Sequence, residues 1–305
     1  MSGSERRDEI RAHLESKRAQ LEATNARIEA RAGRNLVFAI GSGLIFAAIF
    51  IASLFLLKGL FAVLVAALVS IALVELAAAF RTAGRRVPRV GVVLGGLVVV
   101  VGAYFWGAEG MLLGLFAGSV LLTLWRLVEG LVPSWETAPR TLVRDVFSGL
   151  FTLVYVAFLA SFAVLLLSGE RGEWWVFGLV AVVVSVDVGA YAAGVTLGKH
   201  KMTPRISPNK TWEGFAGAAL VAVIVGVVVS LFALRQPWWV GVVLGLVVLL
   251  TATGGDLTES LIKRNLGVKD MSSWIPGHGG FLDRLDSLLP SAVGVYGVAL
   301  VLGVV

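Results

Sequence analysis

The sequence predicts an all-α, polytopic integral membrane protein with about nine transmembrane helices and a short soluble N-terminal helix. Three observations carry this reading. Of 305 residues, 57% are hydrophobic and the mean hydropathy is +0.88, a bias far outside that of soluble domains. Charged residues make up 15% and are clumped rather than scattered. Apolar runs of the ~20 residues that a helix needs to cross a bilayer recur along the chain.

Taken in order, residues 4–34 are polar and helical in pattern. Leu14, Leu21 and Ile28 recur at seven-residue spacing, with Ile10, Lys17 and Thr24 on the companion position. Two of those companions are polar, so the arm is either a weak coiled-coil strand or a solvated helix without a partner. It is too polar to hold the apolar segment of a signal peptide. Apolar spans follow at about 36–57, 59–80, 90–106, 108–127, 145–168, 174–195, 214–234, 238–254 and 286–305. The first two are separated by Lys58 and Gly59 and should form a tight hairpin. We divide the chain into a polar cytoplasmic arm (1–34), N-terminal transmembrane helices (35–145) and a catalytic transmembrane domain (146–305).

Orientation follows from the basic residues. One side collects eight Lys and Arg in the first 34 residues, four in 81–89, three in 126–144, four in 199–210 and four in 263–284; the other has Lys58, Arg171 and Arg235. This asymmetry predicts a multi-pass cell-membrane protein with its N-terminus and site on the cytoplasmic side. It also accounts for the net charge of +6 without nucleic acid. Trp106, Trp125, Trp174, Trp175, Trp238 and Trp239 fall near span ends, where aromatic rings favour the interface. The chain has no cysteine, which excludes disulfides, thiolate metal sites and cysteine nucleophiles.

Three features on the cytoplasmic side can do chemistry. Asp187 stands inside an apolar span, where an acid is costly and usually faces a polar cavity or a partner. The loop 198–214 carries Lys199, Lys201, Arg205 and Lys210 with Ser207 and Thr211, and two prolines that bar a helix; bases, hydroxyls and open amides suit phosphate oxygens. Gly194 to Lys199 is not a phosphate-binding P-loop, having three residues between its glycines and His200 where Ser or Thr should stand. The third feature is Asp256–Asp286. If 256–266 is helical, Asp256, Glu259, Ser260, Lys263 and Arg264 share one polar arc, and such a helix can lie along the membrane surface. Asp256, Asp283 and Asp286 are hard oxygen donors, which favours Mg²⁺ over zinc. Clustered acids beside clustered bases point to a nucleoside triphosphate with its metal.

The second half of this stretch is recognisable. Ser260, Lys263-Arg264, Lys269-Asp270, Pro276, His278-Gly279-Gly280, Asp283-Arg284 and Asp286 resemble the long gapped motif of the phosphatidate cytidylyltransferases (CDP-diacylglycerol synthases). Ser207-Pro208-Asn209-Lys210-Thr211-Trp212-Glu213-Gly214 and Asp187–Tyr191 are similar to two further elements of that family, so the likeness covers roughly 185–290. It implies conversion of CTP and phosphatidate to CDP-diacylglycerol and pyrophosphate, and a homodimer. It also implies that Asp256 and Asp283 hold the divalent metal. Asp286 and Asp187 then support a second cation. Lys210, Lys263, Arg264, Lys269 and Arg284 neutralise the phosphates, with Ser207, Thr211 and Ser260 among the substrate contacts. His278, Gly279 and Gly280 either present amides to phosphate or form a structural turn. Other readings are a CTP-dependent enzyme acting on another lipid acceptor, such as a polyprenol kinase, and an ion transporter; the latter leaves 256–286 unexplained.

Overall fold

The computed structural model describes residues 36–131, 138–268, 271–272 and 280–305, with the backbone alone for 36–42 and 44. The N-terminal arm with its heptad pattern, Trp135, Lys269, Asp270, Trp274, Pro276, His278 and Gly279 therefore lie outside the described residues. The chain divides into two compact units between Ala52 and Ser53. Helix α1 (Leu36–Leu56) begins in the first and ends in the second.

The second unit is helical and membrane-embedded. Its helices are α2 (Lys58–Thr82), α3 (Arg89–Gly130), α4 (Pro139–Thr152), α5 (Leu159–Ser168), α6 (Gly172–Leu197), α7 (Trp212–Val228), α8 (Trp238–Leu266), α9 (Leu282–Leu285) and α10 (Leu288–Val301). A π-helical turn at Leu153–Phe158 joins α4 to α5, and another at Val229–Leu234 extends α7. Among the described residues, seven helical segments are long and apolar enough to cross a membrane. α6, α7 and α8 pack in succession, and α10 lies against α8 and α5.

Two of the expected spans, 90–106 and 108–127, are joined in α3, whose 42 residues would reach about 63 Å if straight. The chain instead reverses at Gly107, whose φ of 63° and ψ of −146° suit glycine alone. Beyond the reversal the two halves run back to back, with Gly102 against Gly110, Val98 against Gly114 and Gly95 against Gly118. Small residues permit this approach of backbone to backbone. Both ends of α3 consequently meet at Asp145. Arg126 Nη2 lies 2.8 Å from one of its oxygens, and the other accepts the amide of Arg86 at 3.0 Å.

Three expectations are corrected. The helix containing 256–266 does not lie along the membrane surface. It continues the span before it as one 29-residue helix, because no Gly or Pro interrupts 256–266, and it stops at Gly267 with φ 72°. The loop 198–214 is not wholly irregular: Lys201–Thr203 (β1) and Ser207–Thr211 (β2) form an antiparallel ribbon pairing Lys201 with Thr211 and Thr203 with Ser207. Trp175 is 1% exposed, a core residue instead of an interfacial one.

Candidate active site

The ribbon folds over the end of α8. Thr211 caps α7 by accepting the Gly214 amide at 3.1 Å, which fixes the last residue of β2 and, next to it, Lys210. The Lys210 ammonium reaches Asp256 Oδ2 at 2.6 Å, so a base from the ribbon meets an acid from α8. Between them is a cavity of about 290 Å³ lined by Asp187, Ser207, Lys210, Thr211 and Asp256. Of the two walls expected from sequence, 198–214 lines this space through Met202, Ser207, Asn209, Lys210 and Thr211, whereas 256–286 reaches it, among the described residues, through Asp256 alone, with Asp187 beside it. On the ribbon's outer side, Glu213 accepts the backbone amides of Lys199 and His200 and pairs with His200 Nδ1 at 2.6 Å.

A second charged group stands one turn further along α8. Lys263 Nζ lies 2.6 Å from Glu259 Oε2 and 2.8 Å from Asp283 Oδ1. Asp283 Oδ2 accepts the amides of Gly280 at 2.7 Å and Met271 at 3.3 Å. Ser260 Oγ donates to Asp256 Oδ1 at 3.4 Å. The polar arc predicted on this helix thus resolves into two i,i+4 pairs, Asp256 with Ser260 and Glu259 with Lys263. Arg264 is exposed in the last turn. Asp187, Asp256 and Asp286 lie within electrostatic reach of one another, and Lys210 and Arg284 within reach of Asp187.

Two residues, Glu75 and Tyr155, escaped the sequence reading, and Glu259 entered it only as a member of the polar arc. Glu75, on α2 and 1% exposed, accepts the amides of Phe281 at 3.0 Å and Leu282 at 2.8 Å and the hydroxyl of Ser272. It thereby clamps the segment that presents Asp283. Its signal was an acid in the run Ile71–Phe80, the same signal that singled out Asp187. Glu259 is 1% exposed, and its Oε1 lacks a hydrogen-bond partner among the described residues; so does the hydroxyl of Tyr155, on the first π-helical turn. An unpaired polar atom buried beside the acids belongs with functional geometry more than with packing, and π-helical turns recur at such places. Tyr155 carried no sequence signal.

Among the described residues, no three His, Cys, Asp or Glu side chains converge closely enough to hold a metal ion by themselves. The donors are nonetheless all carboxylate oxygens, with Asp256 paired to Lys210 and Asp283 to Lys263. That suits a hard ion such as Mg²⁺, which takes one or two protein carboxylates and completes its shell with water and substrate phosphates.

Comparison with known proteins identifies the family. The profile described as the cytidylyltransferase family matches residues 38–302. The phosphatidate cytidylyltransferase of Mycobacterium leprae (strain TN) is 40% identical over 271 residues, covering 86% of this chain and 87% of the relative. That of Mycobacterium tuberculosis (strain ATCC 25618 / H37Rv) is 38% identical over 272 residues, 88% of this chain and 83% of the relative. That of Brucella suis biovar 1 (strain 1330) is 38% identical over 193 residues, 61% and 68% respectively. With its acids and bases gathered at one end of a helical membrane bundle, and a match running almost the length of that bundle, the chain belongs to the cytidylyltransferase family.

Proposed function

We propose that this protein transfers the cytidylyl group of CTP to phosphatidate, giving CDP-diacylglycerol and pyrophosphate. The observation that carries the reading is the cavity in which Asp187, Lys210 and Asp256 meet, placed where a membrane helix emerges and adjoined by the Lys263–Asp283 pair. An oxygen of the lipid phosphate attacks the α-phosphorus of CTP. The bond from that phosphorus to the α–β bridging oxygen breaks, and pyrophosphate leaves with the electron pair. A phosphomonoester with a second pKa of about 6 is already largely dianionic at neutral pH, so no general base is required. The barrier is the meeting of two anions, and charge placement in a fixed geometry lowers it.

Lys210 and Lys263 exchange their carboxylate partners for phosphate oxygens as substrates enter, and Arg264, Lys269 and Arg284 complete the cationic wall. Ser207, Thr211 and Ser260 contact substrate through their hydroxyls. Asp256 and Asp283 would hold Mg²⁺, with Asp286 and Asp187 toward a second cation. Bound there, the metal neutralises triphosphate charge. His278 and Gly279 would contact phosphate, while the Gly280 amide is engaged by Asp283. The membrane is the cell membrane, and the chain crosses it nine times: α1, α2, the two halves of α3, and the five spans after it. Two observations support this count. Asp145 gathers both ends of α3, and the opposite end of the bundle joins Arg171 to the Ala233 carbonyl and Glu170 to that of Val304. The excess of basic residues at the Asp145 end supports a cytoplasmic position for it. The working unit is a homodimer.

The test is transfer of label from CTP to lipid in the presence of Mg²⁺, with and without phosphatidate. Asp283→Asn should abolish transfer while the protein remains folded in detergent. Lipid-linked cytidine at the parent rate in that variant, or none in the parent, would overturn the proposal. Single cysteines introduced at 84 and 171 into this cysteine-free chain report the orientation by their labelling from either side.

A further inference from the structure

The arginines between α2 and α3 take no part in the site described above. Arg81, Gly84, Arg85, Arg86, Arg126 and Glu129 line a cavity of about 670 Å³. Its floor is rigid, because Arg126 and Asp145 are ion-paired with side chains only 1% and 0% exposed. That pair neutralises Arg126. Glu129, the one acid among the described residues of the lining, accepts the Trp125 indole N–H at 3.0 Å. Arg81 also has Arg86 and Arg89 within electrostatic reach, so the cavity is net cationic. Planar guanidinium groups converging on one space suit the oxygens of a phosphate.

Through Arg85 this cavity adjoins a second, of about 410 Å³, lined by Phe80, Arg144, Phe147, Phe151 and Ile262. Arg85 is held at the junction, its guanidinium 5.5 Å over the Phe80 ring and its Nη1 donating to Ser148 Oγ at 3.4 Å. Arg144 donates to the Gly84 carbonyl at 2.8 Å. Phe147 and Phe151 are 68% and 40% exposed, an apolar opening beside a cationic one at the depth where a membrane span ends. Neither cavity is the cytidylyl-transfer site. Ile262 and Asn265, which reach the second cavity, lie six and nine residues beyond Asp256 on α8. That is about 9 and 14 Å further along the axis, and about 240° and 180° around it.

We propose that these joined cavities bind an anionic phospholipid, with its phosphate among Arg81, Arg85 and Arg86 and an acyl chain along Phe80, Phe147 and Phe151. The aromatic half commits the site to a lipid over free phosphate or pyrophosphate.

The experiment uses the full-length protein in detergent, with bound lipid counted by native mass spectrometry. The probe is dioleoylphosphatidylglycerol, which has no terminal phosphate to accept cytidylyl, against dioleoylphosphatidylcholine. The parent should retain the anionic lipid preferentially. The Arg81→Gln/Arg86→Gln variant should bind it about thirty-fold more weakly, the effect of removing two juxtamembrane cations. Arg81→Lys/Arg86→Lys should keep most of the affinity, and Phe147→Ser should weaken dioleoyl more than dihexanoyl lipid. Unchanged affinity in the Gln variant would overturn the proposal. So would equal retention of phosphatidylcholine, or displacement by inorganic phosphate regardless of chain length. Lipid counting does not depend on turnover, so a parent that fails to transfer cytidylyl sinks the proposed function and leaves this site standing.

Discussion

Replacing Glu75 with alanine removes a carboxylate bonded to protein groups, and it should cost this protein its activity. Three donors converge on that side chain: the Phe281 amide, the Leu282 amide and the Ser272 hydroxyl. Leu282 is fully buried, so water cannot replace the lost acceptor there. A hydrogen bond to a charged group is worth about 1.5–3 kcal/mol. Losing the two amide bonds therefore weakens docking of this segment by on the order of 4 kcal/mol, near a thousand-fold in its docked population. Asp283 stands one residue beyond Leu282 and would leave Lys263 with the segment. The expected result for Glu75→Ala is a fall of roughly a hundred-fold or more in CTP incorporation into lipid, with the far-UV spectrum of the helical bundle retained. Glu75→Gln keeps one accepting oxygen and should fall between. Parental turnover in Glu75→Ala, at unchanged melting temperature, would refute the clamp.

The other predictions concern neighbouring parts. Lys263→Met removes the cation shared by Glu259 and Asp283 and should lower the melting temperature; adding Glu259→Gln should recover part of that loss, since Asp283 still lacks its partner, but not activity. Gly107→Ala forces a side chain into a backbone region costing about 1–3 kcal/mol and should lower the melting temperature, although open space surrounds that position. Thr211→Val removes the cap of α7 at a cost of about 1 kcal/mol and should raise the KM for CTP by loosening Lys210. Chelation should stop turnover and Mg²⁺ should restore it, measured against Zn²⁺, which the all-oxygen donor set disfavours.

Much of the site was legible because charge inside so apolar a chain is conspicuous. Asp187, Lys210, Asp256 and Asp283 announced themselves as acids and bases with nothing soluble to serve; the structure brings the first three to one cavity and pairs Asp283 with Lys263 beyond it. Glu75 was passed over because it stands alone in its span; its partners are backbone amides some two hundred residues away, and amides leave no trace in composition. The reversal at Gly107 was marked only by one glycine among 36, and its φ of 63° is a property of the folded backbone. The continuity of α8 was misread because polarity marks where a helix leaves lipid, not where it ends. The residues from Asp256 to Leu266 are mostly good helix formers, and propensity there argued for continuation.

That continuity makes α8 a measuring rod. Trp238 and Trp239, both outward-facing, open the helix, and eighteen residues of rise carry it about 27 Å to Asp256, close to the ~30 Å of a hydrocarbon core. With no hinge between the aromatic anchor and the acids, the height of the chemistry above the lipid tails is set by helix length alone. A bilayer thicker or thinner than the rod would tilt it or deform around it, so turnover should vary with the acyl-chain length of the surrounding lipid.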